Sequence, residues 1–232
     1  MDNITTVFQF ELRYNHILNF SQIARKILSP YVRLADSISI DKQNTIEERI
    51  ILDFGEDNYK ITVSWDRIII NGQGELKVYI NNNSPIETPF LNILESIKEL
   101  DEFGSILNIL FVSNQIKRLD TKKEKLNDHF LSKTIKDNVC DILENNSDAS
   151  IILENKNSLS EQTITFGPYF GLIDLKKRLL KPININALGE LDFNGSFSEY
   201  KFFRLTNKVE FQDFVSIVKD SKEIIKRLWK VL

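Results

Sequence analysis

The opening segment, Thr6–Tyr14, alternates between apolar and polar residues. After Val7 its even-numbered positions are apolar, whereas its odd-numbered positions are polar. The apolar positions are Phe8, Phe10, Leu12 and Tyr14. A period of two residues is typical of a strand with one buried face. The apolar period then lengthens to three and four residues between Phe20 and Tyr31, which predicts a helix that ends at Ser29–Pro30.

The next part of the chain has the pattern of several strands joined by turn residues. The strand-like segments are Arg49–Phe54, Tyr59–Trp65, Arg67–Ile70 and Glu75–Ile80. Turn residues at Gly55–Asn58 and Asn71–Gly74 separate them, so together they predict an antiparallel meander. The apolar positions change from odd to even numbers near Asp66, which predicts a tight turn or a bulge there.

Later segments alternate between helical and strand patterns. We expect helices from Thr88–Pro89 to Gly104, from Thr121 to the turn after Leu143, and from Phe211 to Leu232. The apolar segment Ile106–Val112 predicts a strand in the middle of a sheet. A turn is expected at Gly167–Gly171. The remaining strand candidates are Ala149–Leu153, Gln162–Phe166, Leu188–Phe197 and Tyr200–Leu205.

This order of elements predicts the fold class. We expect an α+β protein with mostly antiparallel sheet and amphipathic helices packed on one face. Both halves of the chain contain strands and long amphipathic helices. The chain therefore forms either one mixed sheet or two similar-sized lobes, residues 1–116 and 117–232, the second ending in the long amphipathic helix. No sequence repeat relates the two halves.

Composition narrows the class of protein. Hydrophobic residues make up 42% of the chain and charged residues 27%, as in ordinary globular domains. The single cysteine, Cys140, cannot form an internal disulfide, and the start Met1-Asp2-Asn3 lacks the pattern of a signal peptide. We therefore expect a cytoplasmic protein that does not cross a membrane. Abundant isoleucine and asparagine favour an AT-rich bacterial or phage gene.

Charge is distributed unevenly along the chain. The net charge of −3 divides into −6 for residues 1–116, with 10 basic and 16 acidic residues, and +3 for residues 117–232, with 20 and 17. Such an asymmetry is too weak to require a polyanionic partner.

Most familiar catalytic and cofactor motifs are missing from the sequence. Gly72-Gln73-Gly74 is the one close glycine pair in a strand context, and it lacks the lysine and the following helix of a phosphate-binding loop. His16 and His129 have no second ligand at a helpful spacing, and Cys140 lies on an apolar helical face. We expect no cofactor and no resident metal.

One set of residues has the spacing of a metal-dependent nuclease. Asp66 is followed by Glu75-Leu76-Lys77. Two carboxylates on adjacent strands can bind a divalent metal, and a lysine can position the attacking water. With a turn at Asn71–Gly72, Asp66 would pair opposite Lys77. The order of predicted elements around them, helix, strands, helix and strand over about residues 17–113, resembles the core of the PD-(D/E)xK nuclease superfamily. The resemblance implies Asp66, Glu75 and Lys77 as catalytic residues. The change of apolar parity near Asp66 argues against it, because a turn residue is not a mid-strand ligand.

Two basic clusters are candidates for contact with nucleic acid. The first consists of Lys176, Lys177, Arg178 and Lys181, and the second of Lys222, Lys226, Arg227 and Lys230 on the last helix. Phosphate contacts need such clusters, and nearby aromatic residues such as Tyr169, Phe170 and Trp229 could stack on bases. A solvated helix face is the favoured explanation, because Asp213, Asp220 and Glu223 lie on the same helix.

The last helix also has large apolar side chains near the end of the chain. Phe211, Phe214 and Trp229 could contact a partner, although core packing is the favoured explanation of such a stripe. Without convergent ionisable groups, the leading hypothesis is a non-catalytic binding or assembly protein. It would act through a protein partner or by self-association, as an accessory, antitoxin-like or defence-associated protein. Nucleic-acid binding or nuclease activity is the alternative.

Overall fold

The computed structural model describes residues 4–119, 122–136, 148–177 and 180–231. Within them lie nine strands: β1 (Ile4–Tyr14), β2 (Ser37–Asp41), β3 (Arg49–Phe54), β4 (Tyr59–Ser64), β5 (Arg67–Gln73), β6 (Ile106–Arg118), β7 (Ile151–Lys156), β8 (Ser160–Phe170) and β9 (Asn194–Leu205). They form one sheet in the order β2-β3-β4-β5-β1-β6-β9-β8-β7, and every neighbouring pair is antiparallel. The predicted α+β class is confirmed.

The helices of this described part are α1 (Phe20–Leu28), α2 (Asn92–Lys98), α3 (Lys123–Thr134), α4 (Leu172–Lys177) and α5 (Phe211–Val231). Short 3₁₀ helices occur at Ser29–Tyr31, Leu76–Ile80 and Ile185–Leu191. The helix expected from Thr88–Pro89 begins instead at Asn92, after an irregular helical turn with a cis peptide bond before Pro89. Thr121, Cys140 and the expected extension of α3 to Leu143 lie outside the described residues.

The main core lies on one face of the sheet. Phe8, Phe10, Leu12 and Tyr14 of β1 are all buried on this face, as the alternation predicted. Apolar residues of four helices cover it, among them Phe20 of α1, Ile93 of α2, Phe130 of α3 and Phe214 of α5. Burying such side chains contributes about 2 kcal/mol each, so the helices are held mainly by this face.

A smaller apolar cluster lies on the opposite face, at one end of the sheet. Its buried members are Ile116, Tyr169, Leu175, Leu191 and Phe197. Ile116 pairs with Phe197 across the β6–β9 ladder, and α4 covers this pair. The expectation that helices pack on one face therefore holds for α1, α2, α3 and α5, but not for α4.

The two halves of the sheet share a topology. In each half a long strand, β1 or β6, is followed by a helix and then by a meander whose last strand returns to pair with the first. β1 and β6 pair with each other at the centre. Position 116 lies inside β6, and the sheet is continuous across it. The division into two lobes stays a prediction.

The expected turn at Asn71–Gly72 is wrong. Both residues lie inside β5, where Gly72 pairs with Phe8 and with Tyr59. A Cβ atom at Gly72 would lie 2.3 Å from the Phe8 ring, so this glycine makes room for an aromatic ring. The chain turns at Gly74, whose φ of 109° suits glycine. The segment Leu76–Ile80 is a 3₁₀ helix and not the expected strand.

Other boundaries also differ from the expectations. β6 continues to Arg118 instead of ending at Val112, because the polar residues after Val112 remain paired on both sides. β8 continues to Phe170, so within the expected turn at Gly167–Gly171 only Gly171, with a φ of 63°, has a turn conformation. β9 is one strand that joins the end of the expected strand Leu188–Phe197 to the expected strand Tyr200–Leu205. β2 was not predicted, since its short segment is exposed along its whole length and shows no long alternation.

Replacing Gly72 by alanine should destabilise the protein by about 1–3 kcal/mol, because the new methyl group would overlap the Phe8 ring inside a packed core. Urea unfolding measures the change. Gly189→Ala is the control, since no atom lies within 4 Å of its added Cβ. Equal effects of the two substitutions would contradict the packing role of Gly72.

Candidate functional site

A polar network lies on the open face of the sheet, around the β4–β5 turn. Glu11 is almost fully buried and accepts hydrogen bonds from Arg13 at 2.7 Å and from Arg67 at 3.1 Å. Asp66 accepts from Arg67 at 2.6 Å and from the Ser64 hydroxyl at 3.0 Å. Because its carboxylate oxygens are engaged in these contacts, Asp66 serves to hold the turn.

The nuclease-like residues do not come together. Asp66 precedes β5 and Glu75 follows it, so the extended strand holds their backbones about 20 Å apart. Glu75 and Lys77 form an exposed ion pair of 2.6 Å at that far end. The pKa of Glu75 is lowered first by its hydrogen bond to Lys77, then by the Lys77 charge, and further by Lys222 of α5.

Metal ligands are also dispersed over the described ranges. No group of three or more His, Cys, Asp or Glu side chains there could hold a metal ion. His16 is exposed after β1, with its ring centroid 4.1 Å from that of Trp65, and His129 is half-buried on α3. Cys140 lies outside the described residues.

Asp66→Asn should lower the free energy of unfolding by about 1 kcal/mol at pH 7, a screened value for a partly exposed group. Burial raises the pKa of Asp66, but hydrogen bonds from Arg67 and Ser64 outweigh it, so the native pKa lies below 3.8. Because the pKa of Asp66 is lower in the folded state than in the unfolded state, its charge stabilises the folded protein at pH values above the unfolded pKa. This contribution disappears as the pH falls through the native pKa.

Urea unfolding at pH 7, 5 and 3 measures the difference between wild type and Asp66→Asn. We expect equal differences at pH 7 and 5 and a smaller one at pH 3. Asp101→Asn is the control, because Asp101 is exposed and makes no ion pair in the described part of the chain. A difference that does not depend on pH would mean that the charge of Asp66 contributes nothing.

The strongest candidate site is a cleft of about 580 Å³ between β6 and the C-terminal half of α5, which we call the lysine cleft. Its volume lies in the range of ligand-binding pockets. Its lining residues are Gln115, Lys117, Lys222, Glu223, Ile225, Lys226, Trp229 and Lys230. Four lysines against one glutamate make its charge strongly positive.

Helix geometry accounts for the arrangement of the lysines. Lys222, Lys226 and Lys230 are four residues apart, so they project from one side of α5 on successive turns, spaced by about 6 Å. All three are exposed. From the sheet, Lys117 reaches the same cleft, and its Nζ atom lies 6.0 Å from the centroid of the Trp229 ring.

The cleft opens where helix and sheet move apart. Ser113 of β6 and Ser221 of α5 are fully buried, with hydroxyl oxygens 3.3 Å apart, so small side chains bring the helix against the sheet there. The next residues on the same face of β6 are the larger Gln115 and Lys117. Beside them the C-terminal half of α5 leaves the space of the cleft.

Buried polar atoms without partners lie at and beside the floor of the cleft. The Trp229 indole nitrogen is buried and makes no hydrogen bond within the described part of the protein. The same is true of the Ser198 hydroxyl, which belongs to a fully buried residue paired with Gln115 across the ladder. A buried polar atom without a partner costs about 1–3 kcal/mol, so this layer beside the cleft is less stable than a fully hydrogen-bonded one.

A neighbouring tyrosine adds to this buried polar layer. Tyr200 pairs with Ser113 across the ladder, and its hydroxyl also has no partner among the described residues. Burial, together with the negative charge of Asp220, raises the pKa of Tyr200 to about 12, so it stays protonated at neutral pH.

The first basic cluster predicted from sequence lies at the same end of the sheet but on its other face. Lys176, Lys177 and Lys181 are exposed around α4, whose Leu175 packs on the small apolar cluster, while Arg178 lies outside the described residues. The Arg118 guanidinium is 4.8 Å from the centroid of the Phe193 ring of that cluster.

The aromatic residues proposed for partner contact differ in accessibility. Phe214 is fully buried and packs edge-on against Phe10, with centroids 4.8 Å apart, so it cannot contact a partner in the folded protein. Phe211 and Trp229 are half-buried. Sequence reasoning found the lysines of α5 but missed Gln115, Lys117 and Ser198. The alternate positions Ser113, Gln115 and Lys117 could have indicated that the strand continues and that these side chains share one face. This pattern was not used, because the strand was expected to end at Val112.

Comparisons of this chain with protein-family models, with curated proteins and with solved structures found no match. Among the described residues, no helix has the length and apolar character needed to span a bilayer.

Proposed function

We propose that this protein acts by binding a nucleic acid in the lysine cleft. One observation carries the proposal: three lysines stand on successive turns of α5 along a cleft whose lining holds a single acidic residue, Glu223. Phosphates attract such lysines, and release of counterions makes the attraction favourable.

The spacing of the lysines favours a polymer over a single phosphate. Side chains repeating every 6 Å or so along a helix can meet consecutive phosphates of a single strand. The basic residues around α4 at the same end of the sheet, Lys176, Lys177 and Lys181, offer a second row on the other face. A strand that passes around this end would meet positive charge on both faces.

The floor of the cleft supports contact with more than phosphates. The Trp229 indole nitrogen donates only, whereas the Ser198 hydroxyl can donate or accept. Both atoms are buried, so a base or sugar group would reach them only where a neighbouring side chain moves aside. Because Lys117 already faces the Trp229 ring, we assign Trp229 the role of a hydrogen-bond donor at the floor, not that of a stacking platform.

The nuclease alternative receives no support from the separation of Asp66 and Glu75, and we propose binding without cleavage. The partner-contact hypothesis stays a prediction for Phe211 and Trp229.

Replacing Lys222, Lys226 and Lys230 together by glutamine should weaken binding to a labelled single strand of about 20 nucleotides by roughly tenfold or more at 0.1 M salt. The salt dependence should also become shallower, by about 2 in the slope of log K against log salt, because three phosphate contacts are lost. Fluorescence anisotropy over a salt series measures both quantities.

The control removes three lysines that are paired elsewhere. Lys98, Lys156 and Lys208 form ion pairs with Glu95, Glu161 and Glu210, so their triple glutamine variant changes the net charge equally. It should bind nearly as wild type does. Equal weakening in both variants would reduce the effect to net charge and overturn the proposed site.

Trp229 provides a direct reporter of occupancy. The chain has two tryptophans, and Trp65 lies beside His16 at the β4–β5 turn, so Trp65→Phe leaves Trp229 as the single emitter. Adding the same oligonucleotide should shift or quench its emission, with saturation at the affinity measured by anisotropy. Binding with unchanged emission would place the ligand outside the lysine cleft.

A further inference from the structure

A second cleft lies on the other side of α5, between that helix, the end of α3 and the strands β7 and β8. We call it the apolar groove, and its volume is about 550 Å³. Pockets of this size that are lined mainly by apolar side chains, with a few polar groups, are typical of small-molecule sites. The lysine cleft lies against β6 instead, so the two spaces share only α5.

Two cross-strand pairs form the floor of the apolar groove. Ile151 of β7 lies opposite Phe166 of β8, and Leu153 lies opposite Ile164. These side chains belong to the sheet face that the helices cover. Ile164 and Phe166 are buried, but Leu153 is 56% exposed. The helices therefore leave part of this apolar face uncovered at β7.

The C-terminal half of α5 forms one wall of the groove. Ile224 and Leu228 are four residues apart, so they lie on the same side of the helix on successive turns, and both are half-buried. Arg227 follows Ile224 by three residues and shares that side. The wall is therefore an apolar pair with a cation beside it.

The last turn of α3 forms another wall. Phe130 packs edge-on against Phe166, with ring centroids 5.9 Å apart, and so holds the helix against the floor. Lys133 and Thr134 line the groove beyond it. The Thr134 hydroxyl donates to the Phe130 carbonyl at 2.7 Å, so it is already engaged within the helix.

The charged groups of the groove are both cations. Lys133 and Arg227 are exposed, and neither forms an ion pair in the described part of the chain. The described residues that line the groove include no aspartate or glutamate. An apolar floor with two unpaired cations, one from each helix, is complementary to a molecule with an apolar body and an anionic head.

The length of the floor favours a small molecule over a protein segment. Ile151 and Leu153 are two residues apart on one strand, as are Ile164 and Phe166 on the other, so the floor is about 7 Å long. A helix that docks in a groove uses side chains at i, i+4 and i+7, which span about 10 Å.

We propose that the apolar groove binds a free amphiphilic carboxylate, a molecule with an aliphatic body and one carboxylate group. The body lies on the β7–β8 floor, and the carboxylate binds Lys133 and Arg227. An arginine can donate two parallel hydrogen bonds to a carboxylate, and a lysine adds a point charge. The site is separate from the lysine cleft and does not depend on nucleic-acid binding.

Dodecanoate, used below the concentration at which it forms micelles, is the probe. Titration calorimetry should show saturable binding of one molecule per chain, with a dissociation constant below roughly 1 mM. Decanoate should bind about 15-fold more weakly, because two fewer methylenes are buried. Dodecyltrimethylammonium has the same tail and a positive head, and it should bind roughly tenfold more weakly or worse. Equal binding of the two heads, or no saturable binding of dodecanoate, would overturn the proposal.

The two cations are tested by substitution. Lys133→Gln combined with Arg227→Gln should weaken dodecanoate binding by roughly tenfold or more, because the charge-assisted contacts are lost. Lys125→Gln combined with Lys219→Gln is the matched control, since these exposed lysines lie on the same two helices and do not line the groove. It should bind as wild type does. Equal weakening in both pairs would reduce the effect to net charge and rule out the site.

The floor is tested on the two faces of β7. Leu153→Glu places a carboxylate on the apolar floor and should weaken dodecanoate binding by roughly tenfold or more. Ile152→Glu is the matched control, because Ile152 is 59% exposed on the other face of the same strand. Both variants should keep the wild-type circular dichroism spectrum. Unchanged binding in a folded Leu153→Glu variant would contradict the proposal.

Sedimentation with phosphatidylserine vesicles separates a free amphiphile from a membrane surface. Vesicle binding that Leu153→Glu removes, without binding of free dodecanoate, would assign the groove to a membrane and overturn the proposal. The lysine-cleft triple variant should bind dodecanoate as wild type does, so failure of this site and failure of nucleic-acid binding are distinguishable.

Discussion

Phe10 and Phe111 face each other across the two central strands, and their stacked ring centroids are 4.3 Å apart. Phe214 packs edge-on against Phe10, so the same rings also hold α5. The β1–β6 pair joins the two meanders, and α5 crosses its apolar face. Because the position of α5 sets one wall of the lysine cleft, the geometry of that cleft depends on this aromatic contact.

Sequence patterns predicted those parts of the fold in which apolar residues occupy one face and polar residues the other. The alternation of β1 and the helical period of α5 are examples, since an apolar face leaves a regular pattern in the sequence even where, as at Glu11, a polar residue is buried on the other face. Gly72 led to the wrong prediction of a turn at Asn71–Gly72, because a glycine inside a strand can make room for a neighbouring aromatic ring as well as form a turn. The strand β6 was expected to end at Val112 because Ser113 and Gln115 are polar. In the structure the strand continues, and these side chains contact small or polar groups of α5 and the lysine cleft.

The sequence predicted only some of the residues that line the lysine cleft. The lysines of α5 repeat every four residues, and a helical pattern displays them on one side. Gln115, Lys117 and Ser198 come from two strands that are distant in sequence, and only the β6–β9 register brings them beside that helix. Asp66 and Glu75 lie far apart for a related reason: their distance is set by the length of β5, which the sequence pattern did not predict.

The central position of β1 has a kinetic consequence. Its register partners in β6 are about a hundred residues away in sequence, and contacts of such separation slow folding. During synthesis β1 can pair with β5 well before β6 has emerged, which leaves its other edge open for several seconds at ordinary elongation rates. A nascent chain is therefore vulnerable to wrong strand pairing at its most apolar edge, and a chaperone that shields Phe8–Leu12 until residue 118 emerges would raise the yield of folded protein.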